Sequence, residues 1–219
     1  MRKIDTLLFD LDGTLIDSNS LIIASFRHVF AKHFPAWRPE DAKIIALIGP
    51  PLAETFARLT DDPALIETMI TDYLEVYRRL EFSYIDIYPH VRDVLLRFHA
   101  KGFNLGIVTT KFMASALPSI RHFGLDEFIG VIISLDEVKN HKPHPEPVEK
   151  ALAAFRGHKQ ALMIGDAPSD ILAGKNAGIL TCGVAWTLKP EALRLASPDF
   201  WIDDYRELPR LIERYNKEA

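Results

Sequence analysis

Five short apolar runs, at residues 6–9, 103–108, 131–134, 161–164 and 180–184, are each bounded by polar or turn-forming residues. Runs of that length with turn signals at their ends predict strands buried on both faces. Between and after the later runs, apolar residues recur three and four apart, which predicts helices over 91–100, 113–123, 145–155, 168–176 and 205–215. Gly102, Gly124 and Gly178 come after helical stretches where a left-handed cap residue is wanted. Pro168 and Pro190 stand near helix starts. Strands alternating with helices imply an α/β protein with a mostly parallel, Rossmann-like sheet.

The interval from 16 to 85 is too long for one crossover helix, and its periodicity is helical. Leu21, Ile22, Ser25, Phe26, Val29 and Phe30 make one stripe, Ala53, Phe56 and Leu59 a second, and residues 65–80 a third. The expected organisation is a discontinuous core, 1–15 with 86–219, that carries an inserted helical domain at 16–85. Its junctions near 16–18 and 84–88 suit a mobile lid over the crevice at the strand ends.

Composition narrows the class. A chain of 219 residues, 48% hydrophobic and 26% charged, supports one good core and a smaller appended unit. The formal charge of −4 argues against a protein that coats nucleic acid or anionic membrane. No uninterrupted apolar stretch approaches the ~20 residues of a membrane span. Cys182 is the single cysteine, which excludes an internal disulfide and a thiolate zinc cluster. The start, residues 1–5, enters a strand too soon for a signal peptide. The expectation is a cytoplasmic protein, with neither nucleic acid nor membrane as partner.

Chemistry concentrates where the first strand ends. Asp10 and Asp12, in Asp10-Leu11-Asp12-Gly13-Thr14, place two carboxylates on one turn at the carboxyl edge of the sheet. A carboxylate is ionised at neutral pH and can attack phosphorus without a base, so Asp10 is the candidate nucleophile. Asp12, one residue removed, suits the proton transfers: to the leaving group, then from the water that hydrolyses the aspartyl-phosphate. The second strand ends in Thr109, Thr110 and Lys111, with Thr109 as the phosphate anchor.

Lys142 stands on a loop stiffened by Pro143 and Pro145, placed to pin Asp10 and phosphate together. His141 and His144 flank the Lys-Pro pair and cannot present both imidazoles from one helix face, so they are assigned no metal. The fourth run ends in Gly165-Asp166, with Asp170 one helical turn on. Carboxylates from separate strand ends suit Mg²⁺, which takes oxygen ligands and keeps several waters. Asp170 is open between capping its helix and supporting the metal site. A carboxylate and one phosphate charge 4 Å apart repel by roughly 4 kcal/mol at an effective dielectric of 20, so cations are required.

Asp10-Leu11-Asp12-Gly13-Thr14, Thr109, Lys142-Pro143 and Gly165-Asp166-x-x-x-Asp170, in that order, resemble the four motifs of haloacid dehalogenase-superfamily phosphohydrolases. The resemblance implies a Rossmann-like core with an all-helical (C1-type) cap at 16–85. It implies that Asp10 is nucleophile and Mg²⁺ ligand, that Asp12 is acid/base with its main-chain carbonyl on Mg²⁺, and that Asp166 is a further ligand assisted by Asp170. Asp12 separates the chain from true dehalogenases and phosphonatases, which lack the second catalytic acid.

Residues 6–15, 21–26, 48–52, 106–111, 138–148, 173–178 and 183–186 are similar to bacterial pyrophosphatases of that superfamily, which themselves resemble phosphoglycolate phosphatases. The implied reaction is hydrolysis of inorganic pyrophosphate, with phosphoglycolate or another small phosphate monoester as the alternative. Lys111 and the Gly49-Pro50-Pro51 loop are plausible contacts to the second phosphate. His144, where such proteins more often carry an acid, and Ala167-Pro168-Ser169 depart from the pattern. A reading of another class, a signalling module that stores phosphate on an aspartate, fits the same acids, threonine and lysine less well, because a switch needs neither a leaving-group acid nor a lid.

Overall fold

The computed structural model describes residues 3–219; residues 1 and 2, expected in the core, lie outside the described residues. Two compact units emerge, one of residues 1–16 with 87–219 and one of residues 17–86. The first is built on six strands, β1 (Ile4–Phe9), β4 (Asn104–Val108), β5 (Val131–Ile133), β6 (Gln160–Gly165), β7 (Leu180–Val184) and β8 (Phe200–Ile202). They order β5-β4-β1-β6-β7-β8, and every neighbouring pair is parallel. The chain passes between the units through β2 (Ile16–Asp17) and β3 (Asp86–Ile87), which pair with each other.

Parallel pairing needs crossovers, and the helices supply them. Those of the first unit are α5 (Val91–Ala100), α6 (Met113–His122), α7 (Glu146–Ala154), α8 (Pro168–Asn176), α9 (Pro190–Leu195) and α10 (Leu208–Glu218). Leu7, Leu8 and Phe9 of the central strand are fully buried, as a strand covered on both faces must be. One side packs Leu8, Val108 and Met163 of the sheet against Val148, Ala151 and Leu152 of α7 and Ala173 of α8. Gly102, Gly124 and Gly178 all take positive φ, as expected after a helix or turn.

The second unit holds α1 (Asn19–His33), α2 (Asp41–Leu47), α3 (Leu52–Ala57) and α4 (Pro63–Tyr84). Its core centres on Phe26, whose ring lies 5.7 Å from Phe56 and 5.0 Å from Tyr73, both edge-on. Asp62 caps α4 by accepting from Ala64 N at 3.0 Å, ahead of Pro63 at the first position.

The structure departs from expectation at several elements. The helix expected over 205–215 is a 3₁₀ turn, Tyr205–Glu207, and then α10, because Pro209 has no N–H and suits only a first turn. Strand β8 and helix α2 carry no expectation: the first is three residues at a sheet edge, the second seven residues with one buried side chain, Ile44. No helix among the described residues is long and apolar enough to cross a membrane.

Candidate active site

Three neighbouring strands end side by side, and each is succeeded at once by a polar side chain. Asp10 follows β1, and its N–H donates to Ile164 O in β6 at 2.9 Å, which continues the ladder one residue past the strand. Thr109 follows β4 and is anchored by its N–H to Ile133 O at 2.9 Å. Asp166 follows Gly165, the last residue of β6. The sheet order β4-β1-β6 thus sets Thr109, Asp10 and Asp166 in a row.

Lys142 reaches this row from the segment between the 3₁₀ turn Leu135–Glu137 and α7, and its bond to Pro143 is cis. Its buried ammonium donates to Asp10 Oδ1 at 2.6 Å, Asp170 Oδ1 at 2.6 Å and Val108 O at 2.9 Å. An ammonium has three protons, so all are used. Asp170 both caps and pairs: Oδ2 accepts from Ala167 N at 3.0 Å while Oδ1 faces Lys142. Sequence could not choose between capping and site support because one carboxylate has an oxygen for each.

Close backbone approach packs the acids. Gly13 has φ +81°, and a Cβ there would stand 2.6 Å from Asp166 Oδ2. A Cβ on Gly165 would overlap the Asp170 side chain. Both positions need glycine because a carboxylate occupies the space a side chain would take.

Electrostatics are set by one cation among several acids. Burial pushes the Asp10 carboxyl up to about 7; Lys142 opposes that rise, and Asp170 adds to it. Burial also drives Asp166 well above the usual carboxylate range, with Asp10 and Asp170 adding to the rise. Burial alone would lower Lys142, but attraction to Asp10 and Asp170 outweighs it and the ammonium is held in its charged form. Lys142 is shared between two acids, so it is over-supplied with partners while each acid is under-supplied. Asp10, Asp166 and Asp170 each present an oxygen within 4.8 Å of the others, a donor set of hard oxygens. The side chain of Asp12 is outside that group.

Lys111 Nζ lies 3.5 Å from Asp12 and 3.4 Å from Ser119 Oγ. Thr109 Oγ1 accepts from Lys111 N at 3.2 Å, which turns the hydroxyl's own proton toward other acceptors. Thr110 occupies the bend between them. Gly49, with φ +118°, belongs to the helical unit, so the acid row assembles without it. His141 Nδ1 lies 2.7 Å from Lys142 O, and His144 Nδ1 accepts from Glu146 N at 3.1 Å.

A layer of donors behind the acids escapes sequence reading. Thr187 Oγ1 donates to Asp166 O at 2.6 Å, Trp186 Nε1 to Gly13 O at 3.1 Å and Tyr205 OH to Thr14 O at 3.0 Å. Thr14 Oγ1 in turn donates to Asp166 Oδ1 at 3.2 Å. The only signal is indirect, a hydroxyl and an indole shortly after the apolar run at 180–184.

Comparison with known proteins places the chain among hydrolases. A family model described as haloacid dehalogenase-like hydrolase matches residues 7–184. The chain is similar to pyrophosphatase PpaX of Anoxybacillus flavithermus, 44% identical over 209 residues that cover 94% of this chain and 95% of that protein. It is similar to the protein of the same name from Halalkalibacterium halodurans, 42% identical over 214 residues and 96% of each chain. Among solved structures, a haloacid dehalogenase-like family hydrolase of Streptococcus pneumoniae superposes with a TM-score of 0.82 at 26% identity, covering 95% of this chain and 98% of that one.

Proposed function

Because the chain belongs to the haloacid dehalogenase-like hydrolase family, we propose that it is a Mg²⁺-dependent phosphohydrolase that turns over inorganic pyrophosphate through an aspartyl-phosphate on Asp10. The observation that carries the chemistry is the gathering of Asp10, Asp166 and Asp170, two of which share the buried ammonium of Lys142. The choice of pyrophosphate is supported by two relatives so named, 44% and 42% identical over nearly the whole chain.

Lys142 engages Asp10 Oδ1, which leaves Oδ2 to attack phosphorus. As the new P–O bond forms, the bond to the leaving phosphate breaks, and Asp12 gives that oxygen a proton. Asp12, now anionic, takes a proton from water as the water oxygen attacks the same phosphorus. The acyl-phosphate bond breaks, orthophosphate departs and Asp10 is restored. Thr109 and Thr110 donate to the transferred phosphoryl oxygens, and Lys111 faces the leaving phosphate.

Asp10, Asp166 and Asp170 together carry more negative charge than Lys142 offsets, in a buried place that already raises the Asp10 and Asp166 carboxyls, which is the environment a divalent cation fits. Asp10, Asp166 and the main-chain carbonyl of Asp12 would hold Mg²⁺, with Asp170 in support. When bound, the ion neutralises charge on the phosphoryl oxygens. The helical unit takes the part of the family's cap.

The test is kcat/KM for pyrophosphate, phosphoglycolate, acetyl phosphate and hexose phosphates in Mg²⁺. Pyrophosphate is expected to lead. A large preference for phosphoglycolate or a sugar phosphate overturns the substrate, and a stable phosphoprotein without turnover overturns the enzyme in favour of a switch.

A further inference from the structure

Lys142 is delivered to Asp10 by a segment, Val138 to Pro145, that contains no helix or strand of its own. One side chain at the start of α7 accepts three hydrogen bonds from that segment. Glu146 Oε1 accepts from Lys139 N at 2.8 Å. Glu146 Oε2 accepts from Asn140 N at 3.0 Å and from Asn140 Nδ2 at 2.9 Å. On the far side, Asn176 Nδ2 donates to Pro143 O at 3.0 Å, so bonds grip the chain both before and after Lys142. The N–H of Lys139 first, and the donors of Asn140 after it, hold the Glu146 carboxyl below its usual range. An ionised acceptor with three donors makes stronger bonds than a neutral one.

We propose, on the reading of Lys142 as the cation that holds Asp10 and the transferred phosphoryl group, that Glu146 is a positioning residue whose carboxylate fixes residues 139 and 140 and thereby places Lys142 Nζ. Glu146 makes no bond to Asp10, Asp166 or Asp170, so it acts only through the loop. The Lys142 side chain is 2% exposed, so packing leaves its stem little room to compensate, and an ammonium bonded to three acceptors at 2.6–2.9 Å tolerates little movement of its Cα. Misplacement of a catalytic group by about 1 Å costs on the order of 10²-fold in rate.

The experiment is a double-mutant cycle with pyrophosphate in Mg²⁺, reading kcat, KM and, by calorimetry, the Kd of orthophosphate. The proteins are Glu146→Ala, Glu146→Gln, Lys142→Met and Glu146→Ala with Lys142→Met, each with a thermal melt. Glu146→Ala is expected to lower kcat/KM by about 10- to 100-fold. Glu146→Gln, which keeps one oxygen acceptor, should lose less. With Lys142→Met present, adding Glu146→Ala should change kcat and the orthophosphate Kd by less than about twofold, since the side chain it places is gone. Where turnover of Lys142→Met falls below detection, the orthophosphate Kd closes the cycle.

Equal losses with and without Lys142, or wild-type kinetics for Glu146→Ala, overturn the role of Glu146. A fully active Lys142→Met overturns the reading of Lys142 itself, a result distinct from either.

Discussion

Lys142 Nζ and Asp10 Oδ1 stand 2.6 Å apart, with the lysine side chain 2% exposed and that of the aspartate 10% exposed. The pair bridges residues 132 positions apart in the chain, so the two charges meet only once the parallel sheet has closed. Asp170 takes the same ammonium at the same distance. Buried charges of this kind hold a site in one geometry at the expense of stability when either sign is missing.

Removing the cation should therefore be costly. Lys142→Ala leaves Asp10 and Asp170 buried without their partner, and Val108 O without its donor. Breaking a buried ion pair costs about 3–5 kcal/mol. Urea unfolding in EDTA at pH 8 should show a loss of that order, and Asp10→Asn in the same background should recover part of it. Equal stability of wild type and Lys142→Ala would mean the ammonium is not compensating these acids.

Gly13→Ala should damage the site more than the fold. Its φ of +81° is strained for alanine, and the added Cβ would stand 2.6 Å from Asp166 Oδ2, where no real Cβ stays. Asp166 must move, and its link to Thr14 Oγ1 goes with it. The expected outcome is a loss of kcat/KM of at least about tenfold and weaker Mg²⁺ binding, with the protein still folded by circular dichroism. Unchanged Mg²⁺ affinity by calorimetry would show that Asp166 is not a ligand.

Mg²⁺ binding should release protons on the acid side of neutrality. Burial pushes the Asp10 carboxyl up to about 7 and raises Asp166 in the same direction, so at pH 6 Asp10 is largely protonated in the metal-free protein and Asp166 holds a proton more readily than an ordinary carboxylate. A cation must displace those protons, and its apparent affinity rises as pH climbs toward 7 and above. Calorimetry at pH 6 in buffers of different ionisation enthalpy should report proton release that shrinks at pH 8. Asp10→Asn should remove part of it; affinity independent of pH between 6 and 8 would rule the coupling out.

Strand ends were legible because parallel buried strands are short apolar runs, and the residues just beyond such a run lie at the crevice. The row Thr109, Asp10 and Asp166 needs only the strand order to assemble. Lys142 was legible through the prolines beside it, Pro143 and Pro145, which advertise a fixed loop. Glu146, Thr187, Trp186 and Tyr205 were not, because each acts on a main-chain group remote in sequence or in a turn with no period of its own. Strand β8 hid for a similar reason: Phe200 and Trp201 are half-buried at an edge, which three residues cannot distinguish from a loop.

The helical unit carries its own buried charge at Asp72 of α4, and this makes its stability depend on acid. Lys32 Nζ lies 2.7 Å from Asp72 Oδ1 and His33 Nε2 lies 2.6 Å from Oδ2, tying the end of α1 to the middle of α4. The bond from Lys32 holds the Asp72 carboxyl below its ordinary value of 3.8, and the bond from His33 assists. A carboxyl with a lowered folded-state value contributes stability above the unfolded value and loses it as pH falls through the folded one. Lys32 is half exposed, so the contribution at pH 7 is about 1 kcal/mol. Asp72→Asn should cost that much in urea unfolding at pH 7 and markedly less at pH 3, below the ordinary value of 3.8, where the unfolded chain's carboxyl is already largely protonated. A difference of the same size at both pH values would show that packing of Asp72, not its charge, joins the two helices.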